Sequence, residues 1–469
     1  MGEAKKLLMT LIEGHANVII KVGRGGEIVD VLFQAVDTRM FETLWVGNPV
    51  DELPRITPLI CGVCSATHHV CSAKAVDGVK GVEPPETAKV VRDIMNYGIH
   101  LNNQAMHLTV LGLPDFLPES EKQRSMLKLA EVKPELVKAG ITLVELGYKV
   151  VRVFGGREIH PINAIPGGVA RVPSSSAVEE LVKLFEEKRR IVEDFAKAAL
   201  AMLDENKAKI EKYEAGYRYM MAIDSGTPYN PTRGRVKIVD ASGSTVAEFN
   251  DTGTDYLKYL DERVVDYSYI RMVTLKNGDL RRDSIMVGAL ARMNIVREYG
   301  VSWADEIRDK IFEEWGKPAR HPLLAYYARV TEVVALYEIL ANLLKEARFP
   351  KPYANPPARR GGEGVGIVEA SRGTLIHHYK ANDNGDTTFI NIITPTAISA
   401  AAIEADLRKI LVGRNISEFD SKQLYAEVAT IVRAYDPCMS CSTHAIKSYQ
   451  PLRTLIVNDS VRVVEGVKI

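Results

Sequence analysis

Ile60-Cys61-Gly62-Val63-Cys64-Ser65-Ala66-Thr67-His68 and Asp436-Pro437-Cys438-Met439-Ser440-Cys441-Ser442-Thr443-His444 carry four of the five cysteines in a chain of 469 residues. Each stretch is a Cys-x-x-Cys pair followed by a histidine, and 377 positions separate the pairs. A fold that joins them must close a loop over most of the chain. The spacing lets both sulfurs of a pair reach one metal from a single turn, and four soft thiolates suit nickel, zinc or an iron–sulfur centre. Cys71 lies outside both pairs and reads as a buried apolar residue. A disulfide scaffold would instead spread its cysteines through a short secreted chain.

Three readings of the pairs compete. A structural zinc site is the plainest, but small zinc modules keep their pairs close together and need the metal because they lack a core. This chain is long enough to build its own. An iron–sulfur cluster leaves the flanking Gly, Asp and His residues without a purpose. A redox motif of the thioredoxin kind needs one pair at a strand–helix junction, not two in distant stretches.

Around the pairs, the pattern is mainly α with small antiparallel β-sheets, an α+β class. Asn17–Val22 and Glu27–Phe33 alternate like paired strands about a turn at Gly23–Gly26. Thr374–Tyr379 and Thr388–Ile393 flank Asn384-Gly385, which tolerates the positive φ of a tight turn. Val236–Asp240 and Thr245–Phe249 form a further β interlude. Helical periodicity marks Pro85–Leu111, Val132–Val153, Ser175–Tyr213, Asp283–Tyr299, His321–Ala347, Ala397–Val412 and Asp420–Ala434, with Ser174–Ser176 as candidate caps. A prior of roughly 150 residues per domain suggests about three domains, yet no Pro/Ser-rich linker or charge block divides the chain.

Sixty basic and sixty acidic residues cancel, which excludes a general nucleic-acid binder, since that needs a concentrated basic surface. The low self-repulsion suits a protein inside an assembly. Met1–Ile12 is too short and too weakly apolar for a secretory signal, and no apolar run of ~18 residues predicts a membrane span.

CGxCxxxH and DPCxxCxxH resemble the paired signature motifs of nickel–iron hydrogenase large subunits. The resemblance continues in order along the chain. Ile12-Glu13-Gly14-His15 resembles that family's opening motif, and Arg39-Met40-Phe41-Glu42 the segment with its acidic magnesium ligand. His107 through Leu113-Pro114-Asp115-Phe116 resembles the helix bearing its active-site aspartate. Glu369-Ala370-Ser371-Arg372-Gly373-Thr374-Leu375 resembles its arginine motif, and Thr394-Pro395-Thr396 the loop beside its diatomic ligands.

Splitting H₂ heterolytically needs a metal acceptor, a nearby base for the proton and a path for electrons. The resemblance implies that Cys61, Cys64, Cys438 and Cys441 bind nickel, with Cys64 and Cys441 bridging to an iron that carries CO and cyanide. It implies that Arg372 and Thr396 donate to the cyanides, since cyanide is an acceptor, and that Leu375 packs around the CO. Arg372 is also placed to polarise H₂, its guanidinium held by Asp115 and Asp436. Glu13 is expected to take the proton from a cysteine thiolate, and His68 to donate to a bridging one. His69 has no such role and reads as structural. Glu42 and His444 are expected to hold magnesium; a carboxylate is an ordinary ligand for it, an imidazole less so. Three positions depart from the usual family pattern: Leu59, Ser371 and Ser399.

The resemblance further implies a catalytic domain over 1–444 and a maturation propeptide over 445–469, removed after metal loading by a dedicated C-terminal protease with the help of a maturation chaperone. With four cysteines on the metals, only Cys71 remains, so an iron–sulfur relay must sit on a separate small subunit, with further electron-transfer subunits behind it. Arg372-Gly-Thr-Leu-Ile-His-His-Tyr is most like the cytoplasmic multi-subunit branch, and a cytoplasmic location is expected. The rivals are a cofactor-free structural subunit, as in respiratory quinone reductases whose related subunit has lost the cysteines, and a zinc-stabilised scaffold.

Overall fold

The computed structural model describes residues 3–118, 124–443, 455–457 and 461–463. It has the expected class: long packed helices with small sheets at their flanks. One principal core includes residues from Leu7 to Cys441, so both cysteine pairs belong to the same packed interior.

The expected first hairpin is present as Ala16–Val22 against Ile28–Ala35, and Glu3–Leu8 adds a third antiparallel strand. Thr374–Tyr379 and Thr388–Ile393 fall in Gly373–Ala381 and Thr387–Ile393, joined by a turn in which Asn382 Oδ1 accepts from the N–H groups of Asn384 and Asp386. The preceding Gly362–Ala370 pairs with Gly373–Ala381 along its whole length. The β interlude belongs to a four-stranded sheet, and there Ile285–Met286 pairs in parallel with Tyr219–Asp224. The helical pattern read over Asp283–Tyr299 is therefore divided. Only Ala289–Ile295 is helix, entered through Gly288 at φ +108.

The helix Ser65–Lys80 starts one residue after Cys64 and is buried on nearly every side. It lies directly on the strand Gly362–Ala370. A Cβ at Gly364 would stand 2.2 Å from Ala75 O, and one at Gly366 2.5 Å from Cys71 O. Any larger residue would push the sheet off the helix that carries Cys64.

Glu86–Met106, Pro134–Gly155, Ser175–Asp204 and Leu324–Glu346 pack around this unit, with Ser174 accepting from Ala177 N as the cap of the third. Glu86–Met106 continues into a π-helical turn, His107–Gly112, and a 3-10 turn, Leu113–Phe116, which carries Asp115. Pro395–Leu411 brings up Asp406, whose carboxylate accepts from Gly216 N at 2.6 Å and from the Tyr435 hydroxyl at 2.5 Å.

Burial pushes Asp406 up to about 7, against these hydrogen bonds. Its folded value thus lies above the unfolded value of 3.8, so the folded chain holds the proton more tightly. Stability from this group is present at low pH and is lost as pH rises from about 4 to about 7. We expect Asp406→Asn to flatten that slope, gaining on the order of a few kcal/mol over the native chain at pH 8, as read from denaturation midpoints at pH 5 and pH 8.

Candidate metal centre

Cys61 follows the 3-10 turn Thr57–Ile60 in extended conformation, and Cys64 caps the helix Ser65–Lys80. The second pair sits on a sharper device. Asp436 at φ +51 turns the chain after the helix Ser421–Ala434, and the short helix Met439–Ser442 puts Cys438 and Cys441 on one side. All four sulfurs lie within 4.8 Å of one another and all four residues are buried. Cys61 Sγ is 3.5 Å from Cys438 Sγ, Cys64 Sγ 3.2 Å from Cys441 Sγ, and Cys438 Sγ 2.9 Å from Cys441 Sγ.

No pair is a disulfide. Buried sulfurs so close cannot all ionise unaided. Hydrogen bonds from Cys438 and Cys441 hold Cys64 low, while burial pushes Cys438 and Cys441 up. A cation among them removes that conflict, and a compact set of soft donors fits a thiophilic metal.

Arg39 clamps the two pairs together, and further contacts fix the second pair. Arg39 Nη1 donates to Ile60 O and, at 3.1 Å, to Ser440 O. Thr396 Oγ1 accepts from Cys438 N at 2.9 Å. Ser442 donates its hydroxyl to Cys438 O at 3.0 Å and meets Thr394 at 2.9 Å.

Glu13 pairs as an isolated parallel bridge with Cys438, its carbonyl accepting from Met439 N at 3.0 Å. Its Oε2 lies 3.1 Å from Cys438 Sγ and accepts from Ser440 N at 2.9 Å, and Oε1 accepts from the Ser440 hydroxyl. Gly14 makes the approach possible. It sits at φ +74, and a Cβ there would come within 2.9 Å of Met439 Cβ.

Arg372 is 4% exposed. Its Nη1 donates to Asn103 Oδ1 at 2.8 Å and its Nη2 to Asp436 Oδ1 at 3.2 Å. Among the described residues Arg372 Nε and Asp436 Oδ2 have no hydrogen-bond partner. Burial opposes the charge on Arg372, but Asp436 and the cysteine sulfurs hold its pKa above the ordinary value. Behind it, the fully buried Arg292 binds Glu332 and Glu369 and donates to the carbonyls of Ala370 and Ser371, which sets the backbone from which Arg372 projects.

Asp115 does not join Asp436 on that guanidinium. It accepts from Arg433 Nη1 at 2.6 Å, and Arg433 also donates to Thr10 O at 2.9 Å. The π-helical turn before Asp115 carries its carboxylate toward the helix Ser421–Ala434, and Asn103, one helical turn earlier than His107, takes the place on Arg372. Asn103 Nδ2 in addition donates to Val63 O at 2.9 Å, between the first two cysteines. The signal for it was the run Asn102-Asn103-Gln104 in a helix that has no Asp, Glu, Lys or Arg after Asp93. A polar run with no charge to keep it solvated, inside a helix, marks buried partners.

His68 Nε2 lies 3.5 Å from Cys441 Sγ. His69 has a structural position, between Pro54 O and Ala164 N, and burial lowers its pKa to about 4. The Cys71 thiol donates to Gly366 O at 3.2 Å, and burial pushes its pKa up. Leu375 is 1% exposed on the strand that leaves Arg372. Of the three departures, Leu59 is exposed with its carbonyl on Arg39, Ser371 is tied by its carbonyl to Arg292, and Ser399 Oγ accepts from Val287 N.

Glu42 is buried, and Arg271 Nη2 lies 2.6 Å from both of its oxygens, with Ile392 N at 2.7 Å. A guanidinium thus stands on the carboxylate that the sequence expects to ligate a hard cation. His444 lies outside the described residues, as does most of 445–469; within that stretch Leu455–Val457 and Val461–Val463 pair antiparallel.

The chain is similar to known proteins over most of its length. The family model for nickel-dependent hydrogenase matches residues 39–124 and 237–444. One subunit of the F420-non-reducing hydrogenase of Methanothermobacter marburgensis is 31% identical over 460 residues, covering 96% of this chain and 97% of its own. NAD-reducing hydrogenase HoxS subunit beta of Cupriavidus necator is 29% identical, covering 97% of each. The crystal structure of an NAD⁺-reducing [NiFe]-hydrogenase in the H₂-reduced state superposes with a TM-score of 0.87 at 28% identity, over 94% of this chain and 99% of that one.

Proposed function

The chain belongs to the nickel-dependent hydrogenase family, and from that premise we propose that it is the catalytic subunit in which H₂ is split to protons and electrons at a nickel–iron centre on Cys61, Cys64, Cys438 and Cys441. The observation that carries the reading is the meeting of two distant thiol pairs within 4.8 Å, beside a carboxylate and a buried arginine. When bound, a nickel–iron pair with CO and cyanide on iron polarises H₂ and takes up its electrons.

The rest is done by side chains. Glu13 Oε2, 3.1 Å from Cys438 Sγ, accepts the proton there and passes it outward by way of the Ser440 hydroxyl, which already bonds its other oxygen. Arg372 Nε, buried and unshared, is a fixed donor for a small anion or the polarised end of H₂, and Asp436 and Asn103 keep it from swinging away. Thr396 uses its oxygen on Cys438 N, which leaves its hydroxyl proton to donate to a second cyanide. Leu375 supplies an apolar wall for CO.

The electrons need a partner. With the four thiols committed, only Cys71 is left among the cysteines, and no relay can be built from one thiol. An iron–sulfur small subunit is the partner proposed, with further electron-transfer subunits beyond it. Exposed Leu59 and Ile159 flank the loop of the first pair, where Ile159 lies against Gly62, and give that partner an apolar landing close to Cys61. The relatives named are subunits of F420-non-reducing and NAD-reducing hydrogenases, which supports a cytoplasmic multi-subunit enzyme; no described helix is long and apolar enough to cross a membrane.

Elemental analysis and infrared spectroscopy of enzyme from the native host test the reading. Nickel is expected together with CO and cyanide bands, and iron in excess of nickel because the small subunit's clusters add their own. Zinc alone, or no metal, would establish one of the structural rivals instead. Mass spectrometry of the same sample is expected to show a chain ending at His444, and active protein with a longer chain would refute the propeptide.

A further inference from the structure

The helix Ser421–Ala434 ends inside the protein, with three residues left before Cys438. A helix end leaves its last carbonyls without intrahelical partners, and here the chain that follows cannot supply them all. The residue four beyond Arg433 is Pro437, which has no N–H. The residue four beyond Ala434 is Cys438, and its N–H goes to Thr396 Oγ1 at 2.9 Å. Asp436, turned at φ +51, returns one N–H to Arg433 O at 2.9 Å. The other donors come from outside the segment.

Two buried side chains meet that need. His107 Nε2 is 2.8 Å from Arg433 O, and Arg329 Nη1 is 2.8 Å from Ala434 O. A carbonyl only accepts, so both nitrogens donate. His107 is fully buried and Arg329 is 1% exposed. Burial, with Arg329 beside it, holds the His107 pKa well below its ordinary value, so the ring is neutral and its single N–H is the one on Arg433 O. The guanidinium suits the negative end of the helix dipole. Both side chains are held in turn. His107 stacks on Tyr326 with ring centroids 5.6 Å apart, and a Cβ on Gly112 would come within 2.8 Å of the imidazole. Arg329 stands three positions on from Tyr326 in Leu324–Glu346 and also donates to Ala325 O at 3.1 Å. The seat is therefore made by the turn His107–Gly112 and the helix Leu324–Glu346, both of which precede in the chain the segment they receive.

We infer that Arg329 and His107 are positioning residues for the second cysteine pair: by capping the end of Ser421–Ala434 they fix the direction in which the chain leaves it, and so the place of Cys438 and Cys441 opposite Cys61 and Cys64. The inference rests on the nickel–iron reading above. Both residues act through backbone, four and five positions before Cys438. The link is short and stiff, since Pro437, with its φ fixed by the ring, alone separates Asp436 from Cys438. A shift of the helix end is thus carried to the sulfurs.

The test uses the metal-loaded enzyme. It reads nickel per folded chain, nickel–sulfur distances from X-ray absorption at the nickel edge, and the melting temperature. Arg329→Met keeps the bulk of the side chain and removes the donor. Nickel retained against a chelator is expected to fall ~10-fold or more, as for loss of a ligand's outer partner, and the nickel that remains is expected to show a wider spread of sulfur distances. Native nickel and native distances in Arg329→Met overturn the inference, even with a lower melting temperature, since lost stability alone would give that. If Arg329→Met does not fold, as judged by circular dichroism, His107→Gln against His107→Met decides. The glutamine amide offers an N–H close to the place of Nε2 and is expected to match the native distances, whereas the methionine is not; equal distances in the two overturn the inference. A native enzyme without nickel would sink the nickel–iron reading instead, so the two failures are distinct.

Discussion

Replacing Cys438 by serine is expected to abolish nickel binding and hydrogen oxidation while the fold survives. Cys438 stands at the middle of the sulfur cluster, 2.9 Å from Cys441 and 3.5 Å from Cys61, and it is also the sulfur in contact with Glu13. A serine hydroxyl keeps the shape but is a hard oxygen that stays protonated at neutral pH, so the soft donor set falls from four to three. Loss of an outer partner already costs ~10–100-fold in metal affinity, and loss of a ligand costs more than that. The buried hydroxyl should lower stability by only about 1–3 kcal/mol, so the circular dichroism of folded protein is the control. Native-level nickel in Cys438→Ser would remove this cluster as the metal site.

Glu13→Gln is expected to separate metal binding from turnover. The amide oxygen can still accept from Ser440 N, now bonded at 2.9 Å, and the side chain keeps its length past Gly14. It cannot take a proton from Cys438. Nickel content should equal the native value, while H₂ oxidation falls by the ~10²–10⁴-fold that a positioned acid–base group contributes, or more. Exchange between H₂ and solvent protons should fall with it, since that reaction needs no external electron acceptor. Full activity in Glu13→Gln would take Glu13 out of the proton path.

Much of the site could be read from the chain because its chemistry is written in local motifs. The two CxxC pairs, Glu13, His68 and Asp436 fall around one point. What the motifs could not convey was partner choice among buried charges. Arg372 and Arg433 are both buried arginines near the same helix end, and only the π-helical turn over His107–Gly112 decides that Asp115 belongs to Arg433. Arg271 likewise reaches Glu42 from a strand 229 positions away, a pairing that no local motif announces.

The missed secondary structure has equally local causes. Glu3–Leu8 reads Glu-Ala-Lys-Lys-Leu-Leu, with no alternation to mark a strand. Ser65–Lys80 is buried almost all round, so it has no polar stripe and no period to detect. Gly362–Ala370 contains three glycines and looks like a loop; all three are there because the helix backbone lies so close.

The parallel bridge of Glu13 to Cys438 has a consequence during synthesis. Nothing can complete the cluster until the ribosome has added the 377 residues that separate Cys61 from Cys438, which at ~5–20 residues per second takes roughly 20 to 75 s. For that interval Cys61 and Cys64 stand in a half-made protein as an incomplete chelate, open to zinc or oxidation. Faithful loading therefore depends on something that shields the early pair, and on delivery of nickel only after translation has ended.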